Sequence, residues 1–147
     1  MEWKLKKFED LSTHELYSLL QVRVAVFVVE QMCPYPEVDG HDLASYHLYG
    51  TQNGEIIAYC RILPRGTVYQ EASIGRVLVN QKFRGQGLAG QLMTRTLRFM
   101  EEELLEKTIK IQAQDYLREF YSSFGFQPIS EVYLEDNIPH VDMILHR

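Results

Sequence analysis

The chain has 147 residues, a formal net charge of −5 and an ordinary globular composition, 46% hydrophobic and 24% charged. A chain of that length buries roughly 70% of the surface it exposes when unfolded, enough for one sizeable core, so residues 1–147 are read as a single domain. The acidic balance argues against nucleic-acid binding, which needs a basic face to neutralise phosphates. The longest apolar run, residues 22–29, is too short to span a bilayer, and the N-terminus lacks the apolar core of a signal peptide. Cys33 and Cys60 have no C-x-x-C partner and no histidine cluster beside them, which points to reduced thiols, no metal and a cytoplasmic setting.

Trp3, Leu5 and Phe8 predict a short first strand. Ser12 and Glu15 then form a capping box with Leu11 and Leu16 at the staple positions, and an apolar stripe carries a helix, in one piece or two, toward Glu30. Two prolines and a glycine make "MCPYPEVDGHD" a loop. Its Glu37, Asp39 and Asp42, with Tyr35 and His41, read either as a cluster that attracts an amine or as solvated acids around a turn at Asp39-Gly40. Residues 46–51 and 55–63 flank Asn53-Gly54, which predicts an antiparallel hairpin with a type I′ turn.

A further strand covers "ASIGRVLV", and Leu88, Ala89, Leu92, Met93, Leu97, Met100 and Leu104 recur at helical spacing. "TIKIQAQ" reads as a strand. Asp115 caps a short helix with the apolar face Leu117, Phe120, Tyr121 and Phe124, closed by Gly125. Two last strands, near 126–134 and 138–146, bracket a turn at "EDNIP". The order β-α-β-β-β-α-β-α-β-β predicts an α/β fold with a mixed, largely antiparallel sheet flanked by helices. Edge strands at the C-terminal end are places where a second copy can pair to make a homodimer.

Between the fourth strand and the second helix stands "FRGQGLAGQLM". Glycines there let the backbone adopt unusual φ values and approach a ligand, while the helix start offers free N–H groups to an anion. Arg84 adds a fixed charge suited to phosphate oxygens. The alternative is a turn that merely packs tightly, with Arg84 solvated. Gly85, Gly87 and Gly90 spell G-x-G-x-x-G, yet "NQKFR" intervenes after Val79 and the preceding elements are hairpin-linked, against a dinucleotide fold. No G-K-[ST] is present for a P-loop.

"VLVNQKFRGQGLAGQLM" resembles the pyrophosphate-binding motif Q/R-x-x-G-x-G/A of the GNAT N-acetyltransferase superfamily, through Arg84, Gly87 and Ala89. "QDYLREFYSSFGF" is similar to that family's second signature, a tyrosine ahead of a G-F pair, and the two lie at the family's usual separation. "VFVVEQMCPYPEVDGHD", "IGRVLV" and "EVYLEDNIPHVDM" resemble the ElaA-type subgroup. The resemblance spans essentially the whole chain and implies an acyl-CoA N-acyltransferase domain that takes acetyl-CoA as donor and a small-molecule or peptide amine as acceptor, by direct transfer in a ternary complex.

Carried over residue by residue, the resemblance implies that Val77, Leu78 and Val79 offer backbone groups to the pantetheine arm, with a backbone N–H near Val77 facing the developing oxyanion. It implies that Arg84, Gly85, Gln86, Gly87, Leu88, Ala89 and Gly90 cradle the pyrophosphate. Gln114 stands where the family prefers asparagine. Tyr121 matches the tyrosine placed near the CoA sulfur, as proton donor to the leaving thiolate, and also lies on an apolar stripe where it serves as core. The strand acid that many members use as base is replaced here by Ser73, Gly75 and Arg76, which leaves Glu30 and His140 as base candidates against a reading of both as structural polar contacts. Two rival functions remain: a noncatalytic acyl-CoA-binding module or sensor, and a nucleotide-binding protein.

Overall fold

A computed structural model describes all 147 residues. Strand β1 (Glu2–Lys7) leads through one 3-10 turn into helix α1 (Thr13–Arg23). The capping box is formed: the Glu15 N–H donates to the Ser12 hydroxyl at 3.1 Å, and the Ser12 N–H to the Glu15 carboxylate at 2.8 Å. Two orphan donors of the first turn are thereby satisfied. Beyond Arg23 the helix changes character, continuing as a seven-residue π-helical segment, Val24–Glu30. The Gln31 N–H reaches the Val26 carbonyl and the Cys33 N–H the Val28 carbonyl, both five residues back. Val24, Val26, Val28 and Val29 are β-branched and crowd the preceding turn of an α-helix, which lowers what is lost when α-type bonding gives way.

Strands β2 (Tyr46–Gln52) and β3 (Glu55–Leu63) form the expected hairpin. Asn53 and Gly54 have φ of 52° and 77°, as a type I′ turn demands. Then follow β4 (Ala72–Val79), α2 (Leu88–Glu102), β5 (Thr108–Gln114) and α3 (Arg118–Ser122). Asp115 does not cap α3. It opens a 3-10 turn, and its carboxylate accepts from Arg118 at 2.7 Å. The strand expected near 126–134 is split into β6 (Gln127–Pro128) and β7 (Tyr133–Glu135), each paired with β8 (Ile138–His146). Between the two, the Asp142 N–H donates to the Ser130 hydroxyl at 2.9 Å, a side chain standing in for a ladder rung.

The strands make one sheet in the order β1-β2-β3-β4-β5-β8-β6, with β7 also on β8. Every pairing is antiparallel except β4 with β5. Because β8 is enclosed on both sides, the edge at the C-terminal end consists only of β6, of two residues, and β7, of three. Few ladder groups are left there for a second copy. Leu88, Leu92, Met93, Leu97 and Met100 of α2 are buried on one face of the sheet with Ile62, Ile109 and Met143. On the other face Leu19 of α1 meets Tyr49, Tyr59 and Leu78. Covered on both sides, β3 is buried from Ile56 to Leu63, and its apolar run lacks the alternation of a half-exposed strand.

One feature of the sheet prepares the site. β4 and β5 pair only at Ala72↔Ile109 and Ser73↔Lys110. Beyond that point β4 stays on β3 as far as Val79, β5 follows β8 to Gln114, and the two strands part.

Candidate active site

Where β4 and β5 diverge, a cleft of about 910 Å³ opens. β4 lines it from Ser73 to Val79, joined by the start of α2, by α3, by the loop after the π-helical segment and by the turn between β7 and β8. On the side away from β3, residues 74–79 have no strand partner. Their backbone groups are free to bond an extended amide-bearing ligand as an added strand. The β3 register slips by one between Tyr59↔Leu78 and Arg61↔Gly75, so Arg76 and Val77 together oppose Cys60. Such a bulge bends the strand and sharpens its twist at the point where pairing with β5 has ended.

The glycine turn closes one end of the cleft. Gly85 and Gly87 have φ of 82° and 74°, and a Cβ at either would have nothing within 4 Å. Left-handed backbone, not crowding, is therefore what calls for glycine. Gly87 precedes α2 and supplies no side-chain cap. The N–H groups of Leu88, Ala89 and Gly90 thus lack intrahelical acceptors and are available to an anion. Gly85, Gly87, Leu88 and Ala89 border the cleft, while Gln86 and Gly90 do not. These features fit a pyrophosphate-bearing donor: an unpaired strand edge, left-handed glycines and a helix start with free donors lie in one groove.

Arg84 borders the same groove but is already engaged. Its two terminal nitrogens hold the Glu30 carboxylate at 2.6 and 2.8 Å, and its Nε donates to the Val79 carbonyl at 3.1 Å. The Arg84 guanidinium holds the Glu30 carboxyl below the usual carboxylate range. Gln114 lines the cleft at the end of β5 and donates to the Gln31 side chain at 3.2 Å.

Tyr121 is 6% exposed and packs edge-to-face on Phe120 and Phe126. It is both core and cleft lining, and burial raises its phenol above the ordinary value. His140 lies across from Gln114 in the β5–β8 register and lines the cleft as well. Its Nδ1 is 2.7 Å from the Ile138 carbonyl. A carbonyl only accepts, so Nδ1 carries a proton, and in the neutral ring the lone pair is on Nε2. The ring is stacked on Tyr133.

All three acids of the loop are ion-paired; Glu37 and Asp42 are buried, while Asp39 is exposed at a turn in which it accepts from the His41 N–H at 3.0 Å and Gly40 has φ of 87°. Arg23, fully buried, donates to Glu37 at 2.8 and 2.5 Å and to Asp42 at 2.7 Å. Arg61 holds Asp39 at 2.6 Å and Asp42 at 3.1 Å, and Arg76 reaches Glu37 at 2.5 Å. Burial raises the carboxyls of Asp39 and Asp42, but the guanidinium hydrogen bonds outweigh it and hold both below the carboxylate range. An amine-attracting acidic cluster is thus replaced by three acids neutralised by three arginines. His47 and Tyr59 extend the network, the imidazole and phenol meeting at 2.7 Å. Arg23 sits within an apolar helical stripe and Arg61 within the run "YCRIL". A charge in such a setting signals a buried pair, and that is the trace these residues leave in the sequence.

Residues 15–147 match the model of the acetyltransferase (GNAT) domain family. Protein ElaA of Escherichia coli is 45% identical over 145 residues, covering 97% of this chain and 95% of that protein. The crystal structure of Escherichia coli ElaA superposes with a TM-score of 0.92 at 44% identity, covering 99% of this chain and 100% of that one. An acyl-CoA N-acyltransferase from Pseudomonas aeruginosa superposes with a TM-score of 0.93 at 44% identity over 98% of both chains. The chain belongs to the GNAT acetyltransferase family, in its ElaA-like group, and has the acyl-CoA N-acyltransferase fold.

Proposed function

We propose that residues 1–147 act as one cytoplasmic N-acetyltransferase domain, which moves an acetyl group from acetyl-CoA to a primary amine in a ternary complex. The parting of β4 and β5 beside the glycine turn of α2 carries this reading. An extended pantetheine arm suits the free edge at Val77, Leu78 and Val79, and a pyrophosphate suits the donors between Arg84 and Ala89. Acetyl-CoA supplies a thioester whose carbonyl carbon is open to an amine. The Val77 backbone N–H serves the developing oxyanion. His140 Nε2 takes the proton that an ammonium acceptor must lose before attack, and the Tyr121 hydroxyl protonates the departing sulfur. The C–N bond forms as the carbonyl becomes the oxyanion, the C–S bond breaks as that oxyanion collapses, and the second proton lost from the nitrogen returns to the Tyr121 phenolate left when the sulfur is protonated.

Glu30 is the weaker base candidate, since a carboxyl held below its usual range by Arg84 accepts a proton poorly. Cys60 is no nucleophile for a covalent route, because burial pushes its thiol up to about 12. A second reading, a noncatalytic acyl-CoA-binding module, is favoured by one observation: β4 presents Ser73, Gly75 and Arg76 to the cleft and no acid.

Thiol release from acetyl-CoA across a panel of primary amines distinguishes the two. Transfer to at least one amine is expected, with Tyr121→Phe and His140→Ala each lowering kcat about a hundredfold while CoA affinity holds within about twofold. CoA binding with no thiol release from any amine would establish the second reading instead.

A further inference from the structure

Arg76 carries φ of 52° in the bulge of β4, whereas Gly75 beside it has an ordinary backbone. The chain thus puts its glycine one residue away from the position that favours one. The nearest atoms to a Cβ at Gly75 would belong to the Leu63 and Arg61 side chains, at 3.6 and 3.7 Å, ordinary contact distances, so crowding does not explain that placement. Left-handed backbone is unfavourable for any residue with a Cβ, and such outliers persist only where the surroundings over-determine them. The Arg76 side chain is anchored on another segment. Nε lies 2.5 Å from a Glu37 carboxylate oxygen, and a terminal nitrogen donates to the Glu37 carbonyl at 3.0 Å and to Asp39 at 3.3 Å. The guanidinium stands 5.2 Å over the Tyr35 ring.

All of these partners belong to one loop, between the π-helical segment and the 3-10 turn at His41–Ala44, which has no regular backbone ladder of its own. Tyr35 and Asp39 form part of the cleft wall. Side chains must therefore fix that wall, and three arginines do so. Arg23 and Arg61 are 0% and 4% exposed and belong to the core. Arg61 also reaches the cleft, but Arg76 differs from both in exposure and position: its side chain is 18% exposed, and its neighbour Val77 is on the edge assigned to the donor.

We propose that Arg76 is a positioning residue for the acceptor. By clamping Tyr35, Glu37 and Asp39 to the β4 bulge, it holds the acceptor-side wall at a fixed distance from the strand that carries the donor. The assignment of the wall to the acceptor rests on the acetyltransferase reading above; the clamp itself does not.

Three variants separate the clamp from the bulge. Arg76→Gly keeps the left-handed backbone without strain and removes the clamp, Arg76→Ala removes the clamp and keeps the strain, and Arg76→Lys keeps a charge without the fork. Hydrogen exchange of the full chain is the first readout. Arg76→Gly is expected to speed exchange in residues 33–45 by about tenfold while β3 and β4 stay protected, with Arg76→Lys in between. The second is steady-state acetyl transfer to whichever panel amine wild type uses best. KM for that amine should rise about tenfold, with kcat and CoA affinity within about threefold.

Unchanged exchange in the loop, or a loss of protection spread across the sheet in step with the melting temperature, would overturn the proposal. So would an unchanged KM for the amine. Should no amine be acetylated, the transferase reading falls and the exchange data still decide whether Arg76 holds the wall.

Discussion

At the scale of single residues, Arg84 and Glu30 define the state in which the donor finds the cleft. Each of the three Arg84 guanidinium nitrogens donates one hydrogen bond, two to Glu30 and one to the Val79 carbonyl. Both side chains are over a third or close to a third exposed, 40% and 33%, so the pair is screened and worth little. In the proposed reading, a pyrophosphate offering two charges exchanges for it. Glu30→Gln removes the competitor, and CoA affinity measured by isothermal titration should tighten about two- to fivefold. Arg84→Ala removes charge-assisted hydrogen bonds and should weaken affinity about tenfold or more. Weaker binding in Glu30→Gln, or loss of turnover with affinity intact, would return Glu30 to the role of base.

At the scale of elements, what was legible was what local chemistry decides. Ser12 and Glu15 are three residues apart and cap α1, and Asn53-Gly54 turns the hairpin. The glycine turn belongs to this group, and its requirement is measurable. Alanine at Gly87, with φ of 74°, costs about 1 to 2 kcal/mol of backbone strain. Gly87→Ala should lower stability by that amount in denaturant unfolding and weaken CoA binding, whereas Gln86→Ala, outside the cleft, should do neither. What sequence reading did not resolve depends on partners elsewhere. The strand near 126–134 is interrupted where the Ser130 hydroxyl accepts from the Asp142 N–H across the sheet. The helix past Arg23 turns π-helical while its buried arginine is fixed by Glu37 and Asp42 from a later loop.

At the scale of the whole molecule, the order of elements and the mixed sheet followed from hydrophobic periodicity and turn chemistry, since each element signals its own type. The cleft did not, because two strands that pair for two residues and then separate leave no local mark. Its position was read from a motif resemblance, and the pairing of the loop acids with three arginines, up to 39 residues away in Arg76 and Glu37, was not read. No helix is long and apolar enough to cross a membrane.

The central claim is that this cleft takes acetyl-CoA. A thermal-shift titration of the purified chain with acetyl-CoA, CoA, NAD and ATP tests it most directly. A ligand at about 100 times its Kd stabilises by roughly 2.7 kcal/mol, a rise in Tm of roughly 5 to 10 °C for a chain of this size. Acetyl-CoA and CoA are expected to give that rise, and NAD and ATP none. Stabilisation by NAD or ATP alone, or by none of the four, would contradict the assignment of the glycine turn and of the transferase reaction built on it.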